Sequence, residues 1–407
     1  MSIKHFLLVS TILTTLLLSC KKEEELPKVS ADFNASSKVV LVDEAIQFSD
    51  NSVGDPTKWE WSFENGNPVE SVDQNPEVSY SSPGNYTVSL IASNEQHTGS
   101  IIKENYITIL SEISADFTIS DGVIGQYDPI RFSDISLGNP TAWEWEFDGG
   151  IPDMSDVQNP TIIYKEAGNY NVTLIASNQL SSDSKTTQVT VFPTEGLLLH
   201  YPFNGNANDI SGNGNDGIIN GATLVSDRNG NFDKAYNFNG TGNQIKFPAI
   251  SDFNNLPVSF SFWASFDQLN SVILGNDIVD NIETGVWFSV GQSAEYLNKL
   301  ALNYGNGGGP MSTSRKSFVS DFTLETNKWY HIVGIIRDLN TIQLFVDGVE
   351  VTGTYTGSST TYKYSGNEGS VGRAWDPNSF FAGKMDDIRI YNRILNSTEI
   401  NILYNEK

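Results

Sequence analysis

Apolar and polar residues alternate in short runs along most of this chain. "WEWSF" from Trp59 and "WEWEF" from Trp143 place large aromatics at every second position. Period two is the signature of a strand, so Trp143, Trp145 and Phe147 share one face while Glu144, Glu146 and Asp148 line the other. Burying each such aromatic contributes about 2–3 kcal/mol. "SFSFWASF" alternates in the same way and sets Phe260, Phe262, Ala264 and Phe266 on one face. In "TIQLFVDGVEV", Asp347-Gly348 separates two alternating runs, which predicts a hairpin with a type I′ turn. Only "NSTEINILY", near the end, reads as a short helix, with Ser397 or Thr398 as its cap.

A shift of 84 residues superimposes one part of the chain on another. "ADF" at Ala31 returns at Ala115, and "IQFSDNSVGDPTKWEWSFENGNP" from Ile46 matches "IRFSDISLGNPTAWEWEFDGGIP" from Ile130. "GNYTVSLIASN" from Gly84 matches "GNYNVTLIASN" from Gly168 at the same offset. The spacing predicts a tandem duplication of a small β-sandwich over 29–110 and 113–192. The links "LSEIS" and "FPTEG" are short, and the second carries Pro193, so the pair reads as semi-rigid spacers. Beyond 195 the runs lengthen and Gly and Asn become denser, marking a third domain over 195–407.

The N-terminus departs from this pattern. Lys4 and His5 precede the apolar run "FLLVSTILTTLLLS", too short and too early for a spanning helix, and then comes Cys20. Cys20 is the single cysteine of the chain. "LLSC" resembles the lipobox of bacterial lipoproteins, which implies a signal peptide over 1–19, acylation of Cys20 and a tether over 20–28. "KKEEE" after the cysteine resembles the surface-export signal of Gram-negative glycan-degrading bacteria, which implies an outer-membrane lipoprotein facing the cell exterior. With Cys20 acylated no disulfide is available, so each domain is held by its core alone.

The duplicated units resemble PKD domains: "WSFENG" and "WEFDGG" stand at the signature, and "NPEVSYSSPGNYTVSLIASN" and "NPTIIYKEAGNYNVTLIASN" supply the return. Both signatures deviate at their acidic and glycine positions, which predicts a turn built differently. The C-terminal domain resembles the laminin-G-like (LamG), concanavalin A-like jelly rolls. It does so through "YPFNGNANDISGNGNDG" (Tyr201–Gly217), "KAYNFNG" (Lys234–Gly240), "KWYHIV" (Lys328–Val333), "FVDG" (Phe345–Gly348) and "MDDIRIYNRIL" (Met385–Leu395). The expected fold is therefore all-β: two Ig-like sandwiches, then a jelly roll.

Charge and chemistry narrow the function. Asp plus Glu number 49 against 24 Lys plus Arg, a net charge of −25, which excludes nucleic acid and favours a neutral glucan over a sulfated or uronic polymer. The acids of the aromatic strands could suggest glycoside chemistry, which needs two carboxylates at a fixed separation with one kept protonated. The first copy reads Glu60, Ser62, Glu64 where the second reads Glu144, Glu146, Asp148. A row with one member replaced reads as a solvated face. His5, His97, His200 and His331 form no metal-ligand or nucleophile-activating spacing.

The acidic triplet of hydrolases on the jelly-roll fold, and the Arg, Gln-x-His and Tyr motifs of its lyases, do not occur over 195–407. The chain is therefore expected to bind and not to cleave. In "NDISGNGNDG", Asp209, Asn213, Asn215 and Asp216 offer the oxygens a hard cation prefers. Asp386 shares the parity of Ile388 and Ile390, so it is expected to point inward and to need a compensating charge. The LamG resemblance brings that loop beside the last strand and implies calcium held by Asp209, Asn213, Asn215 and Asp386. Sugar rings need flat aromatic platforms. Trp375, Tyr304, Tyr362 and Tyr364 stand in Gly- and Ser-rich stretches and are the candidates, whereas Trp263, Trp287 and Trp329 read as core.

The architecture resembles the glycan-binding proteins of bacterial polysaccharide-uptake systems, with a glycan importer as the implied partner. An adhesion or protein-interaction lipoprotein is the alternative, and an enzyme of the same fold a third.

Overall fold

The computed structural model describes residues 25–120, 124–291 and 293–406. The stretch expected to be a signal peptide, and Cys20, lie outside the described residues. Strands make up about 49% of the chain and helix 4%, as the alternation predicts.

In the first repeat unit, Phe33–Ala35, Ile46–Asp50 and Glu77–Val78 form one sheet. The other sheet runs in the order Val39–Leu41, Thr98–Leu110, Gly84–Ser93, Lys58–Phe63, Glu70–Ser71. Trp61 and Phe63 point between the sheets and stack with ring centroids 5.7 Å apart at 9°. Phe33 meets the Trp61 ring edge-on at 5.2 Å. The second unit repeats both contacts, with Trp145 on Phe147 at 5.7 Å and 8° and Phe117 on Trp145 at 5.2 Å. Glu60, Ser62, Glu64, Glu144, Glu146 and Asp148 are all exposed, as the solvated-face reading requires.

The signature turn keeps one backbone shape on two sequences. Asn65 adopts φ 56° and its counterpart Gly149 adopts φ 67°. Asn tolerates this left-handed conformation better than most side chains do. At Gly149 a Cβ would lie 2.5 Å from the Tyr170 ring, so a side chain there would have to displace that ring.

The C-terminal domain is a sandwich of two eight-stranded sheets. The first sheet is centred on Ala382–Tyr391, which lies between Ala235–Asn239 and Val258–Phe266. Beyond Val258–Phe266 come Trp329–Ile336 and Ile342–Val346. The second sheet runs from Gln244–Phe247 through Gly369–Val371, Val272–Gly275, Val286–Val290, Lys299–Gly305 and Arg315–Thr323 to Gly353–Gly357. Phe260, Phe262, Ala264 and Phe266 enter the common core with Phe288, Leu302, Ile332 and Leu344. Asp347 (φ 51°) and Gly348 (φ 78°) make the expected type I′ turn, with Val346 opposite Val349.

The outer face of the first sheet is covered by the only α-helix among the described residues, Ser397–Asn405. Ile400 and Leu403 pack there on Val333, Ile335 and Phe345. The cap is Asn396, not Ser397 or Thr398. Its side chain accepts from the Glu399 backbone N–H while the Glu399 carboxylate accepts from the Asn396 N–H. This reciprocal box satisfies two orphan donors, which neither hydroxyl one residue further in could do.

Candidate functional site

Alternation decides what the outer face of the second sheet presents. Val286, Phe288 and Val290 point into the core, so Trp287 and Ser289 point away from it. Asn303 pairs in register with Trp287 and with Ser317, and Ser317 pairs with Thr356. Ser289, Ala301, Asn303, Ser317, Val319 and Thr356 thus make the floor of a narrow trough of about 100 Å³. Small side chains keep this floor low, and their hydroxyl and amide groups make it polar. The Asn303 amide donates to the Trp287 carbonyl and the Ser289 Oγ, both at 3.1 Å, which fixes its plane.

Tyr296 and Lys299 stand at one end of the trough and Arg315 at the other. The Arg315 guanidinium bonds the Glu283 carboxylate at 2.7 Å. Glu283 is fully buried, and that burial raises its pKa against the opposing pull of Arg315. Beside the floor, Trp375 leans edge-on against Trp287, with ring centroids 6.4 Å apart.

The four predicted platforms separate. Trp375 is half-buried against Trp287, outside the lining of the trough, and its indole N–H has no partner among the described residues. Tyr304 belongs instead to the core: it is fully buried and its hydroxyl donates to the Leu339 carbonyl. Its strand alternates inward there, a parity that "NYGNGGGP" hides. Tyr364 is buried too, and its hydroxyl donates to the Asn367 carbonyl while accepting from the Ile250 N–H. Tyr362 is half-buried with its hydroxyl on the Phe253 carbonyl, which ties down its polar end. Neither Tyr304 nor Tyr364 can offer a ring face to a sugar. Of the tryptophans read as core, Trp263 and Trp287 are buried and Trp329 is half-buried.

The predicted metal ligands also separate. Asp209, Asn213 and Asn215 do meet in one loop, but as a closed hydrogen-bond network. The Asp209 carboxylate accepts from the backbone N–H groups of His200, Ser211 and Asn215 and from the Ser211 hydroxyl. The Asn213 and Asn215 amides donate to the Leu198 carbonyl. Asp216 accepts from the Asp209 N–H.

Asp386 stands outside this network, and its parity is the reverse of that expected. Met385 and Ile388 both enter the core, three residues apart. The extra residue is Asp387, at φ 49° in a β-bulge where the register with Val258–Phe266 shifts. Asp386 therefore lies on the outer face beside Trp263, buried, with Arg228 bonded to its carboxylate. Burial pushes its pKa up to about 7, and Arg228 opposes that rise. The compensating charge that the sequence called for is a guanidinium. Among the described residues no group of three His, Cys, Asp or Glu side chains is placed to hold a metal. In this structure the Asp209 and Asp386 carboxylates are already engaged by donors of the chain itself.

A chain of buried charges adjoins this pair and lines a cavity of about 150 Å³ with His200, Lys234 and Glu406. Asp387 bonds the His200 ring and Arg389, both at 2.9 Å. Burial works against its charge, but Arg389 and His200 outweigh it and hold its carboxyl below the usual range. Arg389 reaches on to Glu406 at 2.9 Å, which joins the last strand to the C-terminus. The sequence motif "MDDIRIY" thus encodes a buried ion network. The signals that could have revealed it were the two adjacent acids and the Arg two residues on.

The comparisons follow the same divisions. Residues 26–109 and 114–191 each match the PKD domain family. Residues 239–401 match the concanavalin A-like lectin/glucanases superfamily. Among curated proteins, the decoration protein of Escherichia phage T5 is 33% identical over 93 residues, 22% of this chain. The chain spans about half the length of that relative (54%). Among solved structures, domain 4 of AbnA, an extracellular arabinanase of Geobacillus stearothermophilus, in complex with arabinotriose, superimposes with a TM-score of 0.38 at 21% identity. That match covers 51% of this chain and 98% of the other. The binding domain of Paraclostridial Mosquitocidal Protein 1 gives 0.40 at 17% identity, covering 52% of each chain. From its matched segments, the chain is built of two PKD domains followed by a domain of the concanavalin A-like lectin/glucanases superfamily.

Proposed function

We propose that the concanavalin A-like domain is a non-catalytic carbohydrate-binding head. The chain presents it at the outer surface of a bacterial cell, with Cys20 as the lipid attachment and the PKD domains as spacers. The trough carries this reading. Sugars present hydroxyls around apolar C–H faces, and they suit a floor of small hydroxyl and amide groups beside aromatic rings. Ser289, Asn303, Ser317 and Thr356 supply the first, and Tyr296 the second, with half-buried Trp375 nearby against the buried Trp287.

Binding is favoured over cleavage by the charges present. The ionisable side chains lining the trough are Tyr296, Lys299 and Arg315. Hydrolysis of a glycosidic bond generally needs two carboxylates across it.

A glycan array probed with the full chain tests the reading, followed by Asn303→Ala and Trp375→Ala on any hit and an assay for newly released reducing ends. Retention of a glycan that both substitutions weaken, with no release, is the expected result. Shortening of the polymer would overturn it. Protease shaving of intact cells tests the location: a protected protein would be inward-facing.

One observation favours a protein partner for the first PKD domain. Pro68, Val72 and Ile91 border a surface depression of about 720 Å³, with Val72 76% exposed. A pull-down in which Val72→Asp loses a partner would support that second reading.

A further inference from the structure

We infer that the trough takes a glycan bearing carboxylates, and that Arg315 receives one of them. The inference rests on the carbohydrate reading above and narrows it to acidic polymers. The net charge of −25 argues for a neutral ligand. The trough departs from that average, because its charged lining residues are Lys299 and Arg315, whose partner carboxylates, Asp321 at 3.9 Å and Glu283 at 2.7 Å, lie outside the lining. Salt screens charges beyond roughly 8–10 Å, so a ligand in the trough meets these two pairs and not the total charge of a distant surface, and the outcome turns on how each cation is held.

The two cations are held differently. Lys299 lies 3.9 Å from Asp321, which is 59% exposed, a loose pair in solvent. Arg315 is anchored from beneath. Its guanidinium bonds one oxygen of Glu283, a side chain with no exposure, whose other oxygen has no partner among the described residues.

The backbone of Glu283 is fixed as well. Its N–H donates to the Gly308 carbonyl and its carbonyl accepts from the Gly307 N–H, both at 2.8 Å. A Cβ at Gly305 would lie 2.1 Å from that carbonyl oxygen, so glycine alone permits the approach. Gly305 is the register partner of Arg315.

A wholly buried carboxylate beneath a part-exposed arginine is a costly arrangement for stability alone. It does orient a guanidinium. Arg carries five N–H donors in a rigid fork that matches a carboxylate in two parallel bonds. One nitrogen is engaged by Glu283, and no other acceptor for this side chain is found among the described residues. Lys299 opens the neighbouring strand six residues from Gly305. At about 3.3 Å per residue the backbones of Lys299 and Arg315 stand roughly 20 Å apart, so the two cations mark opposite ends of the trough.

The test uses the full chain and three acidic polymers, polygalacturonate, alginate and a glucuronoxylan, each beside its carboxyl-reduced form. Affinity is measured at low and high salt. At least one acidic polymer should bind about tenfold or more tighter than its reduced form, and high salt should erode the difference. Removing Arg315 alone would strand Glu283, so the deciding variant is the doubly neutral Glu283→Gln/Arg315→Gln, checked by thermal melting. It should abolish the preference for the acidic form, and Arg315→Lys should keep only part of it. Equal binding of acidic and reduced forms would overturn the inference and leave the carbohydrate reading intact. So would a preference that survives the double variant. Failure of every polymer in both forms, together with an empty glycan array, would remove both.

Discussion

Arg228 bonds the buried carboxylate of Asp386 while its guanidinium lies 4.7 Å above the Trp263 ring. It also donates to the Glu406 carbonyl at 3.1 Å. One side chain from a loop thereby ties together the last strand, the strand beside it and the C-terminus. Arg228→Met should destabilise the head by about 3–5 kcal/mol, because it leaves a buried charge without its partner. Arg228→Met/Asp386→Asn should recover most of that loss. Urea unfolding of the three proteins checks this, and a double variant no better than the single one would show that the pairing is not what matters.

Chelation should leave the thermal transition of the head where it is. The Asp209 carboxylate already accepts four hydrogen bonds, and Asp386 already faces a cation of the chain itself. A melting temperature that falls with EDTA and returns with calcium would contradict this.

His331 makes stability depend on pH. It is buried, with Nε2 2.9 Å from the Ser261 hydroxyl and Nδ1 without a partner among the described residues. Burial lowers its pKa to about 3, with Asp387 opposing and Arg389 and Arg228 assisting. The unfolded chain takes up that proton near pH 6.5. Between about 3 and 6.5 the unfolded state therefore binds one more proton than the fold, and stability rises with pH across that window. The contribution is complete above 6.5 and is lost progressively as pH falls, at up to about 1.4 kcal/mol per unit. His331→Gln should flatten the curve between pH 4 and 6 by about one proton. Denaturant midpoints measured against pH report it, and an unchanged slope would mean that the ring is charged in the fold.

The helix cap gives a local test. Asn396→Ala should cost about 1 kcal/mol, and Asn396→Ser much less. Ser397→Ala and Thr398→Ala should change little. A larger loss at Ser397 would return the cap to the position expected from the hydroxyls.

The sequence was most legible where one periodicity ran unbroken. "WEWEF", "SFSFWASF" and "VDGVE" gave faces and a turn that hold residue by residue, because a strand with one buried face leaves a single workable register. It was least legible where one residue interrupts the ladder. The bulge at Asp387 reverses the parity of everything before it on that strand, so Ile388 faces the core while Asp386 faces Arg228. Tyr304 and Tyr364 misled for a related reason. Glycine and serine around them mark loops, yet loop composition says nothing about which way a neighbouring ring turns.

The candidate site itself was barely legible. Ser289, Asn303, Ser317 and Thr356 come from four strands across 68 residues of chain, and none belongs to a motif. Trp375 was recognisable as a candidate because it stands in the loop-like stretch "GRAWDPNSFF". Arg315 and Glu283 were not, since an ion pair 32 residues apart leaves no periodic trace.

What the sequence by itself determined was local and repetitive: the 84-residue duplication, the alternating aromatics of each sandwich, and the order of strands that makes the last domain a jelly roll. Local stereochemistry and the burial of alternate side chains are enough for these. Only the tertiary structure decided which cation meets Asp386, which tyrosines are inaccessible, and that Lys299 and Arg315 line one trough of an acidic chain. Those are questions of distance between residues remote in sequence, and pattern along a chain does not encode distance across a fold.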